Sequence, residues 1–69
     1  MVEIFKTNVK ERHHANMLID HIHRIFNDYK ANFDLDDCDN ILRIEGSAFE
    51  TEKIKWIVNK NGYMCEVLE

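Results

Sequence analysis

Hydrophobic and polar residues follow two different periods along the chain, and the changes of period mark the predicted elements. Residues 2–9 are rich in β-forming residues, which predicts a first strand, and Thr7-Asn8 near its end supplies side chains that can cap a helix. From about Glu11 the period becomes helical and predicts a first helix that runs to about Asn27. The residues expected on its buried side are Leu18, Ile22, Ile25 and Phe26.

The middle of the chain predicts a hairpin followed by a second helix. Alternation around Phe33 and Leu35, turn residues at 37–40, and alternation from 41 to 45 predict a half-buried hairpin. Ser47-Ala48-Phe49-Glu50 has the form of a capping box and predicts the start of a second helix. The residues expected on the buried stripe of this helix are Ile54, Ile57 and Val58.

A left-handed stop at Asn61-Gly62 ends the second helix, and residues 63–68 alternate again as a last strand. The predicted order is therefore β-α-β-β-α-β. Because the crossover connections are right-handed, the expected fold is an α+β, ferredoxin-like two-layer sandwich: an antiparallel sheet in the order 4-1-3-2 with both helices on one face. This topology brings three loops (residues 7–14, 36–40 and 62–63) to one end, where we expect any site to lie.

Composition narrows the class of protein. The 69 residues, with 45% hydrophobic and 32% charged residues, predict a single ordered domain over 1–69. A net charge of −4 with scattered basic residues argues against nucleic acid as a partner. The apolar runs are far shorter than the roughly 20 residues that span a bilayer, and no leader-like segment precedes the first strand. We therefore expect a cytoplasmic protein with no membrane partner.

The residues that can carry chemistry are few. The two cysteines, Cys38 and Cys65, are too far apart in sequence for a CxxC pair and are expected to be reduced. Since neither cysteine nor any serine stands near a histidine in sequence, and no carboxylate pair has an apolar setting, we expect no enzyme activity.

All four histidines fall within eleven residues, at His13, His14, His21 and His23. A helical wheel places His14 and His21 at the border of the buried stripe and the other two away from it. A rise of 1.5 Å per residue separates His14 from His21 by roughly 10 Å, which is too far for both to bind one ion. The histidines are therefore not expected to form one cluster.

Short segments along nearly the whole chain match the pattern of one known family. They are Phe5-Lys6-Thr7-Asn8-Val9 at the first strand and loop, Leu18 and Ile22 on the first helix, Phe33-Asp34-Leu35 and Leu42-Arg43-Ile44 in the hairpin, and Asn61-Gly62-Tyr63 at the last corner. Together they resemble the heavy-metal-associated domain family, which includes small copper chaperones and the N-terminal modules of metal-pumping ATPases.

The resemblance implies a metal-binding loop and a role in metal ion transport. In the family a CxxC pair at the junction of loop and helix holds a soft ion such as Cu(I), but the aligned positions in this chain are Glu11 and His14. A carboxylate and an imidazole one turn apart suit a borderline ion such as Zn(II), Ni(II) or Cu(II). The first hypothesis is therefore a non-enzymatic domain that binds a divalent transition metal weakly through Glu11, His13 and His14.

A second hypothesis is a protein-interaction or dimerisation module that has lost metal binding. Trp56 falls opposite the buried stripe of the second helix, either as a contact residue or as a side chain partly covered by Lys53 and Lys60. Ile4 and Ile41 are expected on the open face of the sheet, with Met64 and Leu68 beside them. Trp56, Ile4 and Ile41 are the candidate partner-binding residues.

Overall fold

A computed structural model describes residues 1–36, 38–48 and 50–68, and within these it contains four strands and two helices. They are β1 (Val2–Thr7), α1 (Arg12–Ile25), β2 (Lys30–Asp34), β3 (Ile41–Glu45), α2 (Thr51–Lys60) and β4 (Cys65–Val67). Every strand pairing is antiparallel and the spatial order is β2-β3-β1-β4, which is the predicted 4-1-3-2 read from the other edge. The α+β class, the order of elements and the order of strands are confirmed.

Burial alternates along the strands because one face of the sheet meets the helices and the other meets solvent. Phe5 and Thr7 of β1 are buried, whereas the alternate positions Ile4 and Lys6 are partly buried and exposed, respectively. Buried side chains from the strands and both helices form one core, an arrangement compatible with a two-layer sandwich. The largest fully buried side chains are Phe5, Val9, Leu18, Ile22, Leu42, Ile44, Ile54 and Val58.

The predicted cap of α1 by Thr7-Asn8 is wrong. The N-cap residue is Glu11, and β1 ends at Thr7 rather than at residue 9. The Thr7 hydroxyl donates to the carbonyl of Asn40 and accepts from the N–H of Val9, while the Asn8 side chain accepts from the N–H of Met64. Both polar side chains therefore join loops to each other instead of starting the helix.

The buried stripe of α1 is confirmed for Leu18 and Ile22 but is wrong for Ile25, which is 49% exposed. Ile25 is the last residue of α1 and borders a groove between the two helices, so the packing covers it only in part. Phe26 is partly buried and its ring stacks on Tyr29 with centroids 4.5 Å apart. The helical period alone did not distinguish the end of the helix from its interior.

The second strand lies earlier than predicted. It spans Lys30–Asp34 with Ala31 and Phe33 buried, so that Leu35 follows the strand and is only partly buried. In the predicted turn Asp37 lies outside the described residues, and Asn40, which precedes β3, has a positive φ of 48°. The hairpin itself is confirmed by the antiparallel pairing of β2 and β3.

The capping box predicted at residues 47–50 does not start α2. The helix begins at Thr51, its N-cap residue is Glu50, and the N–H of Glu50 donates to the Tyr29 hydroxyl. Phe49, inside the predicted box, lies outside the described residues. A buried tyrosine from another part of the chain thus supplies the partner that Ser47 was expected to provide.

The predicted stop of α2 is confirmed. Gly62 has φ 94°, its N–H donates to the carbonyl of Asn59, and the N–H of Tyr63 donates to the carbonyl of Val58. This is the Schellman arrangement, which requires a left-handed residue that glycine adopts easily. Because this cap uses the N–H of Tyr63, the last strand starts only at Cys65 and is shorter than the predicted 63–68.

No helix in the described part of the chain has the length and apolar character needed to cross a membrane.

Candidate functional site

Three loops meet at one end of the sheet, as the topology predicted, and we call this the loop end (residues 7–14, 38–40 and 61–64). The N–H of Thr7 donates to the carbonyl of Asp39 over 3.2 Å, and its hydroxyl donates to the carbonyl of Asn40 over 2.6 Å. The N–H of Met64 donates to the side chain of Asn8 over 2.7 Å. These bonds tie the exit of β1 to both other loops, so side chains at the start of α1 have a fixed setting.

Glu11 and His14 come together at the loop end. The Oε2 atom of Glu11 lies 3.4 Å from Nδ1 of His14, and the Tyr63 hydroxyl lies 2.7 Å from the same nitrogen. The ring of His13 is adjacent, with its centroid 5.1 Å from that of His14. Their spacing of three residues places Glu11 and His14 on the same side of the first turn, which sequence reasoning anticipated. It did not anticipate the contact with Tyr63.

The chemistry of this cluster is limited by what Nδ1 of His14 already contacts. Nδ1 of His14 faces both the Glu11 carboxylate and the Tyr63 hydroxyl, so an ion shared by Glu11 and His14 through this nitrogen would have to displace the Tyr63 hydroxyl. Among the described residues, no group of three or more His, Cys, Asp or Glu side chains is placed to hold a metal ion. The donors therefore do not fit a closed four-ligand site, and Glu11 with His14 provides at most an open site of few ligands.

The remaining two histidines do not join this cluster. His21 is partly buried and its Nδ1 lies 3.3 Å from the side-chain nitrogen of Asn61, whereas His23 is exposed. The wheel placed His14 and His21 at the border of the buried stripe, and both are partly buried, while His13 is exposed like His23. The histidines are separated as predicted.

The two cysteines lie in different settings. Cys38 is exposed in the turn before β3, and Cys65 is buried opposite Thr7 in the sheet. Burial raises the pKa of the Cys65 thiol to about 12, against a smaller lowering by the Lys55 ammonium. Cys65 therefore stays protonated at neutral pH and behaves as a small apolar side chain.

A groove of about 180 Å³ lies between α1 and α2 on the outside of the helical layer, and we call it the helix groove. Its lining residues are His21, Arg24, Ile25, Trp56, Ile57, Lys60 and Asn61. Trp56 and Ile25 are each 49% exposed there. The sequence pattern singled out Trp56 but not Ile25, which lines the same groove, because the helical period assigned Ile25 to the core.

Two lysines lie over the Trp56 ring. The Nζ atoms of Lys53 and Lys60 are 4.5 and 4.9 Å from the ring centroid, in cation–π contact. The predicted cover by these side chains is thus present, and it still leaves half of Trp56 open to solvent. The lysine side chains therefore cover part of the ring and leave the rest of its surface accessible.

The open face of the sheet presents a smaller apolar area than predicted. In the register, Ile4 is opposite Arg43 and Ile41 is opposite Lys6, so the two isoleucines are diagonal neighbours and each faces a cationic residue. Leu68 does lie beside Ile4, since its N–H donates to the Ile4 carbonyl over 2.9 Å. Met64 lies at the loop end, where its N–H donates to Asn8 and where it lines a cavity with Lys6 and Glu66. Charged side chains therefore divide the predicted patch.

Comparison with known proteins gives no relatives: no family model matches the chain, and neither curated proteins nor solved structures match it significantly. The resemblance to heavy-metal-associated domains stays a prediction from the sequence pattern.

Proposed function

We propose that this chain is a small, non-enzymatic protein-interaction domain with a ferredoxin-like fold, and that it docks a partner in the helix groove. The observation that carries the proposal is that Trp56 and Ile25, each 49% exposed, line the same groove. Contact between large apolar side chains and water is unfavourable. A partner that covers these side chains removes their surface from water and thereby gains binding free energy. Tryptophan is also the residue type most enriched among those that dominate binding energies.

The helix groove is a better docking surface than the open sheet face. Ile4 and Ile41 are only partly exposed, and the positions directly opposite them carry Arg43 and Lys6. A partner on that face would have to desolvate charged side chains between the isoleucines. In the helix groove the exposed apolar side chains Trp56 and Ile25 line one cavity together with the charged Arg24 and Lys60, a combination of apolar and polar groups that is common in interfaces.

Site-specific photo-crosslinking tests the proposal. A photoreactive amino acid at Ile25, in protein expressed in its native cells, is expected to give crosslinked adducts, because Ile25 borders the proposed contact. Trp56→Ala should lower their yield by about tenfold or more, as loss of a central tryptophan costs over 2 kcal/mol in typical interfaces.

The matched control carries the photoreactive group at Met64, which is 62% exposed and lies outside the helix groove. Equal adduct patterns at the two positions, or adducts at Ile25 that persist at full yield in the Trp56→Ala background, would contradict the proposal.

Weak binding of a divalent transition metal as cargo is a second candidate. The observation that favours it is the 3.4 Å approach of the Glu11 carboxylate to Nδ1 of His14, with His13 adjacent, at the position where the resemblance implies a metal loop. An imidazole and a carboxylate suit Zn(II), Ni(II) or Cu(II), whereas Cu(I) prefers thiolates. Few ligands and an exposed carboxylate predict weak affinity.

Titration with Zn(II), Ni(II), Cu(II) and Cu(I), followed by calorimetry and NMR, tests this candidate. We expect saturable shifts in the NMR signals of residues 11–17 with a divalent ion. His14→Ala should abolish these shifts, because it removes the partly buried imidazole that lies beside the Glu11 carboxylate. His23→Ala, an exposed histidine on the same helix, is the control and should leave the shifts unchanged. Unsaturable or uniformly spread shifts would eliminate the candidate.

A further inference from the structure

We infer that the helix groove accepts an acidic linear segment that carries one large aliphatic or aromatic side chain. The inference rests on the proposed function and names the chemistry of the partner. Three features of the groove favour such a segment: its charge, the contacts among its side chains and its size.

The charge of the helix groove is opposite to that of the whole chain. The protein has 13 acidic and 9 basic residues, yet the described residues that line the groove include Arg24 and Lys60 and no carboxylate. Lys53 adds a third cation beside Trp56. A positive rim in an acidic protein favours a negatively charged partner and disfavours a basic one.

Among the described residues, these cations form no ion pair with an acidic side chain. The ion pairs within residues 1–36, 38–48 and 50–68 use Lys6, Lys55 and His14, and none uses Arg24, Lys53 or Lys60. Their positive charge is therefore available to a ligand. A carboxylate that approached the Trp56 edge would meet two ammonium groups that already lie within 5 Å of the ring centroid.

Side chains of the two helices contact each other at one end of the helix groove. The Asn61 side-chain amide donates to the carbonyl of Ile57 over 2.8 Å and contacts Nδ1 of His21 over 3.3 Å, which joins the two helices at one end of the groove. The ammonium groups of Lys53 and Lys60 contact the Trp56 ring. Side chains that already have contacts within the domain lose less entropy on binding, which favours recognition of a short segment.

The size of the groove favours a segment over a second copy of the chain. A groove of about 180 Å³ admits one or two side chains. A stable dimer buries roughly 800 Å² on each partner, far more than the surface that Ile25 and Trp56 supply. An anchoring apolar side chain with carboxylates on either side matches both the volume and the charge.

Selection from a random peptide library tests the inference. Peptides displayed on phage are selected on the immobilised domain and counter-selected on Trp56→Ala, and the enriched sequences are expected to combine Asp or Glu with a large apolar residue. Synthetic peptides are then titrated against the free domain, whose single tryptophan is Trp56, so that its fluorescence reports occupation of the groove directly.

Charge variants provide the matched comparison. The double variant Lys53→Gln/Lys60→Gln should weaken binding of an enriched acidic peptide by about tenfold at low salt, with a smaller effect at high salt because ions screen the attraction. Lys10→Gln/Lys30→Gln removes the same net charge from two exposed lysines outside the helix groove and should change the affinity less than twofold.

The outcomes separate the inference from the proposed function. Enrichment of neutral or basic peptides that still depend on Trp56 would overturn the acidic partner and leave the docking function in place. Failure to enrich any peptide over Trp56→Ala, together with absence of Trp56-dependent crosslinks in cells, would overturn both. Concentration-dependent sedimentation that disappears in Trp56→Ala would make a second copy of the chain the occupant and would also overturn the inference.

Discussion

Phe5→Ala is expected to lower the free energy of unfolding by about 3–5 kcal/mol, the range measured for loss of a fully buried phenylalanine. Phe5 is completely buried and lies on β1, between Leu42 of β3 and Val67 of β4. Removal of its ring leaves a cavity in the core, and β3 and β4 cannot move in to fill it without disturbing their pairing with β1.

A domain of this size has a total stability of roughly 3–10 kcal/mol, so the variant should be largely unfolded in modest denaturant. Urea denaturation followed by circular dichroism measures the loss. Val2→Ala on the same strand is the control, because Val2 is 45% exposed and its truncation should cost below about 0.5 kcal/mol. Equal midpoints for the two variants would contradict the central position of Phe5.

The order of elements and of strands was predictable because both follow from local periods and from general rules of connection. Alternation predicted the hairpin and the sheet faces, and the helical period predicted that Leu18, Ile22 and Ile54 are buried. Gly62 gave a reliable end for α2, since a left-handed residue at that position is a backbone requirement rather than a tertiary effect.

The predicted starts of the helices were wrong where a residue distant in sequence takes part in the hydrogen bond that was expected to cap the helix. Ser47 was expected to start α2, but the hydroxyl of Tyr29 accepts from the N–H of Glu50, so the chain continues without helix until Thr51. Thr7 was expected to cap α1, but its hydroxyl donates to Asn40, 33 residues further along the chain. Local propensity carries no information on which of these competing partners is near in the folded state.

The candidate sites divide in the same way. The pairing of Glu11 with His14 was predictable from their spacing on one turn, whereas the approach of Tyr63 to His14 depends on how the end of α2 lies against the start of α1. The exposure of Trp56 followed from its angle on the helix. That of Ile25 did not, because its angle is that of a core residue and only the packing of the two helices leaves it in a groove.

The packing around Gly46 gives a second prediction of large effect: Gly46→Ala should lower the free energy of unfolding by about 1–3 kcal/mol, as expected for overpacking. A Cβ atom there would lie 2.8 Å from Cδ1 and 2.9 Å from Cε1 of Tyr29. Tyr29 cannot easily move away, because it is 5% exposed, its ring stacks on Phe26, and its hydroxyl donates to the carbonyl of Ala48 and accepts from the N–H of Glu50.

A double-mutant cycle separates this clash from other effects of alanine at position 46. In a Tyr29→Leu background the ring is absent, so Gly46→Ala should cost at least about 1 kcal/mol less than in the wild type, a coupling typical of residues in contact. Gly62→Ala serves as the control for backbone strain, since no described residue beyond its chain neighbours comes within 4 Å of the added Cβ and the φ of 94° is what opposes the change. Its cost should be the same with Tyr29 or Leu at position 29. If the cost of Gly46→Ala were also independent of residue 29, the buried ring of Tyr29 would not be the reason for glycine at this position. The backbone conformation of the connection between β3 and α2 would then be the reason.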